Sequence, residues 1–315
     1  MKKLIILGVA ALGFAACVQE QVMDTLNGGA ITFDGAFVDN ATRASEDPST
    51  KTADLYGFDV WGFVKEYDGI VFADQDVTRS GNVWRYEGTQ YWAPNQPYYF
   101  AALAPMNSDN IEHDLAEGAE AKLGLGTLTF TNRTGTEDVL YARTMMTSKG
   151  LGEPAEAVVF QFQHLLSKVK FTFKNGFLTD NVFVKVTNIN MTAPAKASIN
   201  VAQADYSESW ILEDQKVALA FGDVDKLAFG EDAESAYERL TIPASTSYTY
   251  AVTFDVELFV DAQSVYNVSM TSSVAGVALE MGKAYNFTAE INPDNLGLDA
   301  ITFDVIEVDR WEPAQ

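Results

Sequence analysis

Short runs rich in Val, Ile, Thr, Tyr and Phe, each closed by Gly, Pro, Asn or Asp, recur along almost the whole chain, and this punctuation limits the fold more than any other feature. The runs cover residues 31–38, 55–64, 83–92, 98–103, 125–131, 157–162, 169–173, 182–189, 240–242, 248–260, 266–271, 285–291 and 301–308. Apolar residues alternate within them, as with Ile31, Phe33 and Phe37, which is the period of a strand with one buried face. Only residues 112–122 and 232–239 have helical character, and each predicts one short helix. Strands at this spacing, in 315 residues, exceed one small sandwich. The expected fold is therefore all-β, with two tandem antiparallel β-sandwich domains over 44–163 and 164–315.

The N-terminus reads differently. Lys2 and Lys3 precede an apolar run, Leu4 to Ala16, whose thirteen residues are too few to cross a hydrocarbon core of about 30 Å but suit the apolar region of an export signal. It ends Phe14-Ala15-Ala16-Cys17, so residues 1–16 are expected to be a lipoprotein signal peptide, with Cys17 as the acyl acceptor. Cys17 is the only cysteine, which leaves packing without disulfides to hold the domains. Residues 17–29 read as a polar stalk, and residues 39–50 as an exposed loop in which Arg43 is the one basic residue.

Charge and residue supply narrow the chemistry. With 44 acidic and 21 basic side chains, the formal net charge is -23, a field that repels nucleic acids and anionic headgroups. The two histidines, His113 and His164, have no ligand spacing to a partner; His164, beside Phe162, Leu165 and Leu166, reads as a core residue with its ring nitrogens on backbone. Asp74 to Ser80 alternates oxygens like a calcium loop, but Arg79 stands where a glycine is required, so a solvated turn is expected. No phosphate-binding glycine loop or nucleophile elbow occurs, and carboxylate pairs are too abundant to point anywhere. No catalytic residue, cofactor or metal is expected. Trp84, Tyr86 and Trp92 are a candidate glycan platform, although the alternation in Trp84-Arg85-Tyr86 equally suits core packing. A monomeric surface lipoprotein that binds glycans through these rings is the alternative reading. Finally, Ile31-Thr32-Phe33-Asp34 recurs as Ile301-Thr302-Phe303-Asp304.

Several segments, in order over nearly the whole chain, resemble the fimbrillin family, the subunits of type V pili in Bacteroides-type bacteria. They are the signal ending at Cys17, the Ile31 to Phe33 strand followed by Thr42-Arg43-Ala44, and Leu55-Tyr56-Gly57-Phe58-Asp59-Val60-Trp61-Gly62. Tyr91-Trp92 leading to Tyr98 through Pro105, Asp138-Val139-Leu140-Tyr141-Ala142 and Phe162 to Val169 continue the match. Leu240-Thr241-Ile242-Pro243, Gly282-Lys283-Ala284-Tyr285, and Ile301 to Phe303 before Trp311 complete it. The resemblance implies two transthyretin-like domains, no enzymatic activity, and an outer-membrane lipoprotein precursor anchored through acylated Cys17. It implies cleavage after Arg43 by a trypsin-like, Arg-specific protease, so that residues 17–43 are a propeptide and the mature chain starts at Ala44. The leaving strand would carry Ile31, Phe33 and Phe37. Other pilus subunits would then be partners by β-strand addition, with Ile301, Phe303 and Val305 as the candidate donor strand. The run 301–308 equally suits a permanent strand of the second domain. A fimbrium at the cell surface, meeting a host glycan or protein receptor, is the implied setting.

Overall fold

The computed structural model describes residues 29–40, 54–64, 69–115, 124–202, 210–296, 301–310 and 312–313, and among them the chain is all strand, with no helix. Cys17, Arg43 and Ala44 lie outside the described residues.

The first nine strands are β1 (Phe33–Asn40), β2 (Gly57–Val64), β3 (Gly69–Ser80), β4 (Val83–Tyr86), β5 (Pro97–Ala104), β6 (Ile111–Leu115), β7 (Leu125–Thr131), β8 (Leu140–Thr147) and β9 (Val158–His164). The remainder are β10 (Ser167–Asn175), β11 (Val182–Pro194), β12 (Lys196–Asn200), β13 (Ile211–Leu212), β14 (Lys216–Leu227), β15 (Asp232–Glu234), β16 (Arg239–Thr241), β17 (Thr249–Val260), β18 (Gln263–Ala275), β19 (Lys283–Ile291), β20 (Asp304–Arg310) and β21 (Glu312–Pro313).

One large sheet, ordered β21-β1-β9-β8-β5-β2-β3-β4, builds the N-terminal half. It curls on itself until β1 meets β4, where the Tyr86 hydroxyl donates to the Ile31 carbonyl at 2.8 Å. Phe58, Phe72, Phe100, Phe160 and Phe162 fill the inside of the curl. The outer face of β2 and β5 is also covered. There Trp61, Phe63 and Leu103 pack on Leu128, Phe130 and Ile199 of a second sheet, ordered β13-β12-β7-β6. Burial on both faces explains why β2 is apolar at nearly every position and does not alternate.

The C-terminal half is a sandwich. Sheet β15-β10-β19-β20, with β16 also on β10, faces sheet β14-β11-β17-β18, and Phe171, Phe173, Phe221, Phe254 and Phe287 lie between them. The halves share chain: β12 pairs with β7 from Lys196↔Thr131 to Asn200↔Thr127, so residues beyond 163 complete a layer of the N-terminal half. Leu165, Leu166, Leu240 and Ile242 join the same core as Trp61 and Phe130. Two pairings, β1 with β9 and β10 with β19, are parallel within the otherwise antiparallel architecture.

Several local expectations are corrected. Residues 112–115 belong to β6, held extended by β7, and residues 232–234 form β15 on the edge of β10; sheet pairing overrides the local helical preference at both. Asp74 to Ser80 lie within β3 and are not a turn, with Asp74 at φ 56° where the β2–β3 register shifts. His164 is buried as expected, and its Nδ1 is 2.8 Å from the carboxylate of Asp138.

Lys168 and Glu238, both buried, form an ion pair at 3.2 Å beside the seam between the halves. Removing one member of such a pair costs more than the pair contributes, because the other charge stays in low dielectric. Glu238→Ala is expected to lower unfolding free energy by about 3–5 kcal/mol in urea titrations followed by fluorescence.

Candidate functional site

The segment from Gly29 to Asn40 occupies the seat where the curled sheet closes. Gly29 and Ile31 bond across to the 90–92 segment, with Trp92 N–H to Gly29 O at 3.0 Å and Ile31 N–H to Gln90 O at 2.7 Å. Val158 N–H then donates to Thr32 O at 2.8 Å, and β1 continues parallel to β9 through Phe33↔Val158, Ala36↔Phe160, Phe37↔Gln161 and Val38↔Phe162. At its other edge, Asp39 and Asn40 oppose Pro313 and Glu312 of β21.

Phe33 acts as the plug of this closure. Its ring stacks on Phe160 at 5.9 Å between centroids and meets Phe72 at 5.5 Å, Tyr86 at 5.7 Å and Phe58 at 5.9 Å. Gly62, at the centre of β2, makes the chamber possible: a Cβ there would lie 2.8 Å from the Phe72 ring and 3.0 Å from that of Phe100. Ile31 is buried alongside, while Thr32 and Asp34 face outward. The strand β9 depends on this neighbour, since its ladder with β8 is confined to Leu140↔His164 and Tyr141↔Gln163. Without β1, most of β9 would present unpaired backbone, and the chamber would open along one side.

The second copy of the tetrapeptide has a similar environment in the other half. Ile301 is buried, Phe303 is half-buried with its ring 5.4 Å from Phe171, 5.9 Å from Phe173 and 6.1 Å from Phe254, and Thr302 and Asp304 are exposed. Val305 follows on β20, opposite Phe287 of β19. The candidate donor residues therefore line the C-terminal core of their own chain.

Trp84 and Trp92 are buried in the N-terminal core, Trp84 against Phe58 at 5.1 Å and Trp92 against Tyr98 at 4.6 Å. Tyr86, partly buried, gives its hydroxyl to Ile31 and its ring to Phe72 at 5.0 Å. Stacking on a sugar needs an open ring face, and these rings are spent on packing.

A second concentration of polar groups lies on the outer face of β2, and sequence reasoning passed over it. Asp59 is 5% exposed and stands directly opposite Asp76 of β3, a like-charge cross-strand pair. Asn107 braces both, its backbone N–H donating to Asp59 Oδ2 at 2.9 Å and its amide to Asp76 Oδ2 at 3.1 Å. Asp59 Oδ1 has no hydrogen-bond partner. Burial, reinforced by the charges of Asp74 and Asp76 and opposed by the Asn107 N–H, pushes the Asp59 carboxyl up to about 6. The alternation of Asp74 and Asp76 was the available signal, but the partner that matters, Asp59, lies on another strand.

A family model described as fimbrillin-like matches residues 42–311. A fimbrial protein from Bacteroides vulgatus is similar in fold at 15% identity and a TM-score of 0.53, over 90% of this chain and 99% of that one. A candidate cell adhesion protein from Bacteroides ovatus is similar at 15% identity and a TM-score of 0.51, over 91% and 99% of the two chains. No curated protein matches the chain in sequence.

Two outcomes are expected. Phe33→Ala in the uncut chain should cost about 3–5 kcal/mol by urea denaturation, because the enclosing rings cannot all collapse into the space. For Asp59 the folded-state value lies above the unfolded 3.8, so its contribution to stability is fully present below pH 3.8 and is lost as pH rises through about 6. Asp59→Asn, which keeps an acceptor for Asn107, should therefore stabilise the chain at pH 7.5 by about 1–3 kcal/mol and have little effect below pH 4 in paired denaturant titrations.

Proposed function

The chain belongs to the fimbrillin-like family, and we propose that it is a structural subunit or adhesin of a cell-surface pilus, exported as an outer-membrane lipoprotein precursor through Cys17. In this reading an Arg-specific, trypsin-like protease cuts after Arg43, three residues beyond the end of β1, and the strand carrying Ile31, Phe33 and Phe37 leaves. Another subunit then supplies a strand to the vacated place beside β9.

The observation that carries the proposal is the seat of β1. A chamber lined by Phe58, Phe72, Phe100 and Phe160 is closed by one ring, on a strand whose loss leaves β9 with little pairing of its own. A groove of that kind takes an extended segment, main-chain bonds fixing register and alternate side chains entering the core. The family match is consistent with this, since it begins at residue 42, after β1.

The C-terminal run is the donor that fits best. Ile301-Thr302-Phe303-Asp304 repeats the spacing of Ile31-Thr32-Phe33-Asp34, with the same two residues turned inward. Among the described residues β20 pairs only with β19, so it can leave its sheet without breaking a ladder on its far side. Its own buried residues must be given up, which sets a barrier to exchange and makes the assembled fibre resist dissociation kinetically.

Limited digestion of the full-length protein with trypsin, followed by intact mass and electron microscopy, tests the reading. The expected product starts at Ala44, has lost residues 29–40 and forms fibres, whereas Val305→Lys is cut normally but yields at least about tenfold less polymer. A cut chain that keeps β1 and stays monomeric would exclude strand exchange and return the protein to the class of monomeric surface lipoproteins.

A further inference from the structure

The C-terminal sandwich ends on one side at β18, and among the described residues no strand pairs with its outer edge. An open edge is a row of unpaired N–H and C=O groups, which chains ordinarily guard with charge, bulges, proline or short length. The other edges of this protein follow that rule. β20 carries Asp304, Glu307, Asp309 and Arg310. β14 carries Lys216, Asp223, Asp225 and Lys226, and its register shifts at Gly222. β6 holds Glu112 and Asp114, β15 and β16 are three residues long, and β13 is two. In the large sheet, β4 meets β1, and β21 is only Glu312-Pro313.

β18 has none of these guards. Its 13 residues contain no charged side chain and no proline, in a chain whose formal net charge is -23. From Thr249↔Ala275 to Leu258↔Tyr266 its register on β17 runs without a shift, so the edge is regular over most of its length. The outward face presents Asn267, Ser269, Thr271 and Ser273, all exposed. On the inward face Val268 and Met270 pack on the C-terminal core but are only half-buried, so the core is incompletely covered along this edge.

The occupant follows from charge and symmetry. An uncharged strand has nothing that selects a charged partner, and on so acidic a chain it is an edge along which a second copy can approach without setting carboxylates face to face. The nearest charges on β17, Asp255 and Glu257, lie one strand further in, opposite Ser269 and Asn267. Across a pair of β18 strands the two sets would stand three strand spacings apart, about 14 Å, beyond the screening length of about 8 Å at physiological salt. An antiparallel strand is also its own complement about a two-fold axis. With the axis at Ser269, Asn267 opposes Thr271 and Val268 opposes Met270, so each copy covers the other's half-buried apolar residues. We propose that β18 is an interface between two copies of this chain, paired antiparallel along their outer edges so that two four-stranded sheets become one continuous sheet.

Sedimentation equilibrium of the full-length, uncut protein at about 0.15 M salt, from about 1 to 200 μM, tests the interface. Because the chain is uncut, β1 keeps its seat, and this association is read apart from strand exchange. A reversible monomer–dimer equilibrium is expected, with concentration-dependent slowing of amide exchange in peptides from β18 and not in those from β20. The double variants Asn267→Lys/Thr271→Lys and Asn267→Glu/Thr271→Glu should each dissociate at least about tenfold more readily, and mixing the two in equal amounts should restore association. The lysine pair lowers the overall negative charge, so general repulsion between chains predicts the opposite change. Thermal melts should show both variants folded, and the exchange measurement on the unsubstituted protein stands without them. The proposal is overturned if the protein stays monomeric over this range, if the slowed peptides lie outside β18, if the dimer survives both double variants, or if mixing them restores nothing.

Discussion

A single sheet can bury one of its own faces only by curling until its ends meet, and the N-terminal half depends on that closure. β1 and β4 are the strands that meet, joined by the Tyr86 hydroxyl on Ile31 and by the Phe33 ring among its aromatic neighbours. β1, flanked on its outer side only by the two-residue β21, is the first strand in sequence among the described residues, and it lies parallel to β9 while the strands around it run antiparallel. Parallel partners need no hairpin between them, so no tight turn joins β1 to β9, and pairing and packing alone hold the two together. That is the property a replaceable strand requires. The hold of β1 on the sheet rests on the burial of Ile31 and Phe33, two residues apart.

The same economy of contacts is visible in the other half. The repeated tetrapeptide is seated against three phenylalanines of the C-terminal core, as its first copy is seated against those of the N-terminal core. In each seat, withdrawing the segment requires an aromatic ring to leave its packing, which sets a barrier to removal.

Much of the fold was legible because alternation survives wherever one face is wet. β9 and β17 alternate buried and exposed along most of their lengths and were readable as strands. β14 was not, because its register against β11 shifts at Gly222, where φ is 76°, and the buried residues change parity from Leu219 and Phe221 to Val224. β3 was missed for a related reason, its bulge at Asp74 imitating a turn. The assignment of β12 to the N-terminal half was beyond reach: five residues cannot declare which sheet they will join, and their partner β7 lies some seventy residues away. Within the candidate site, the period of Ile31 and Phe33 disclosed that they face inward, but the parallel partner and the opposition of Asp59 to Asp76 are long-range facts that periodicity does not encode.

Between β11 and β12 stands one residue, Ala195. The chain therefore leaves the C-terminal sandwich and enters the small N-terminal sheet with almost no slack. Tension that draws the C-terminal half away passes along β11 straight into β12 and loads its five register pairs with β7 together, in shear, instead of peeling them one after another. Load drawn across this chain would pass between its halves through an internal splice of continuous strand, not through a flexible linker.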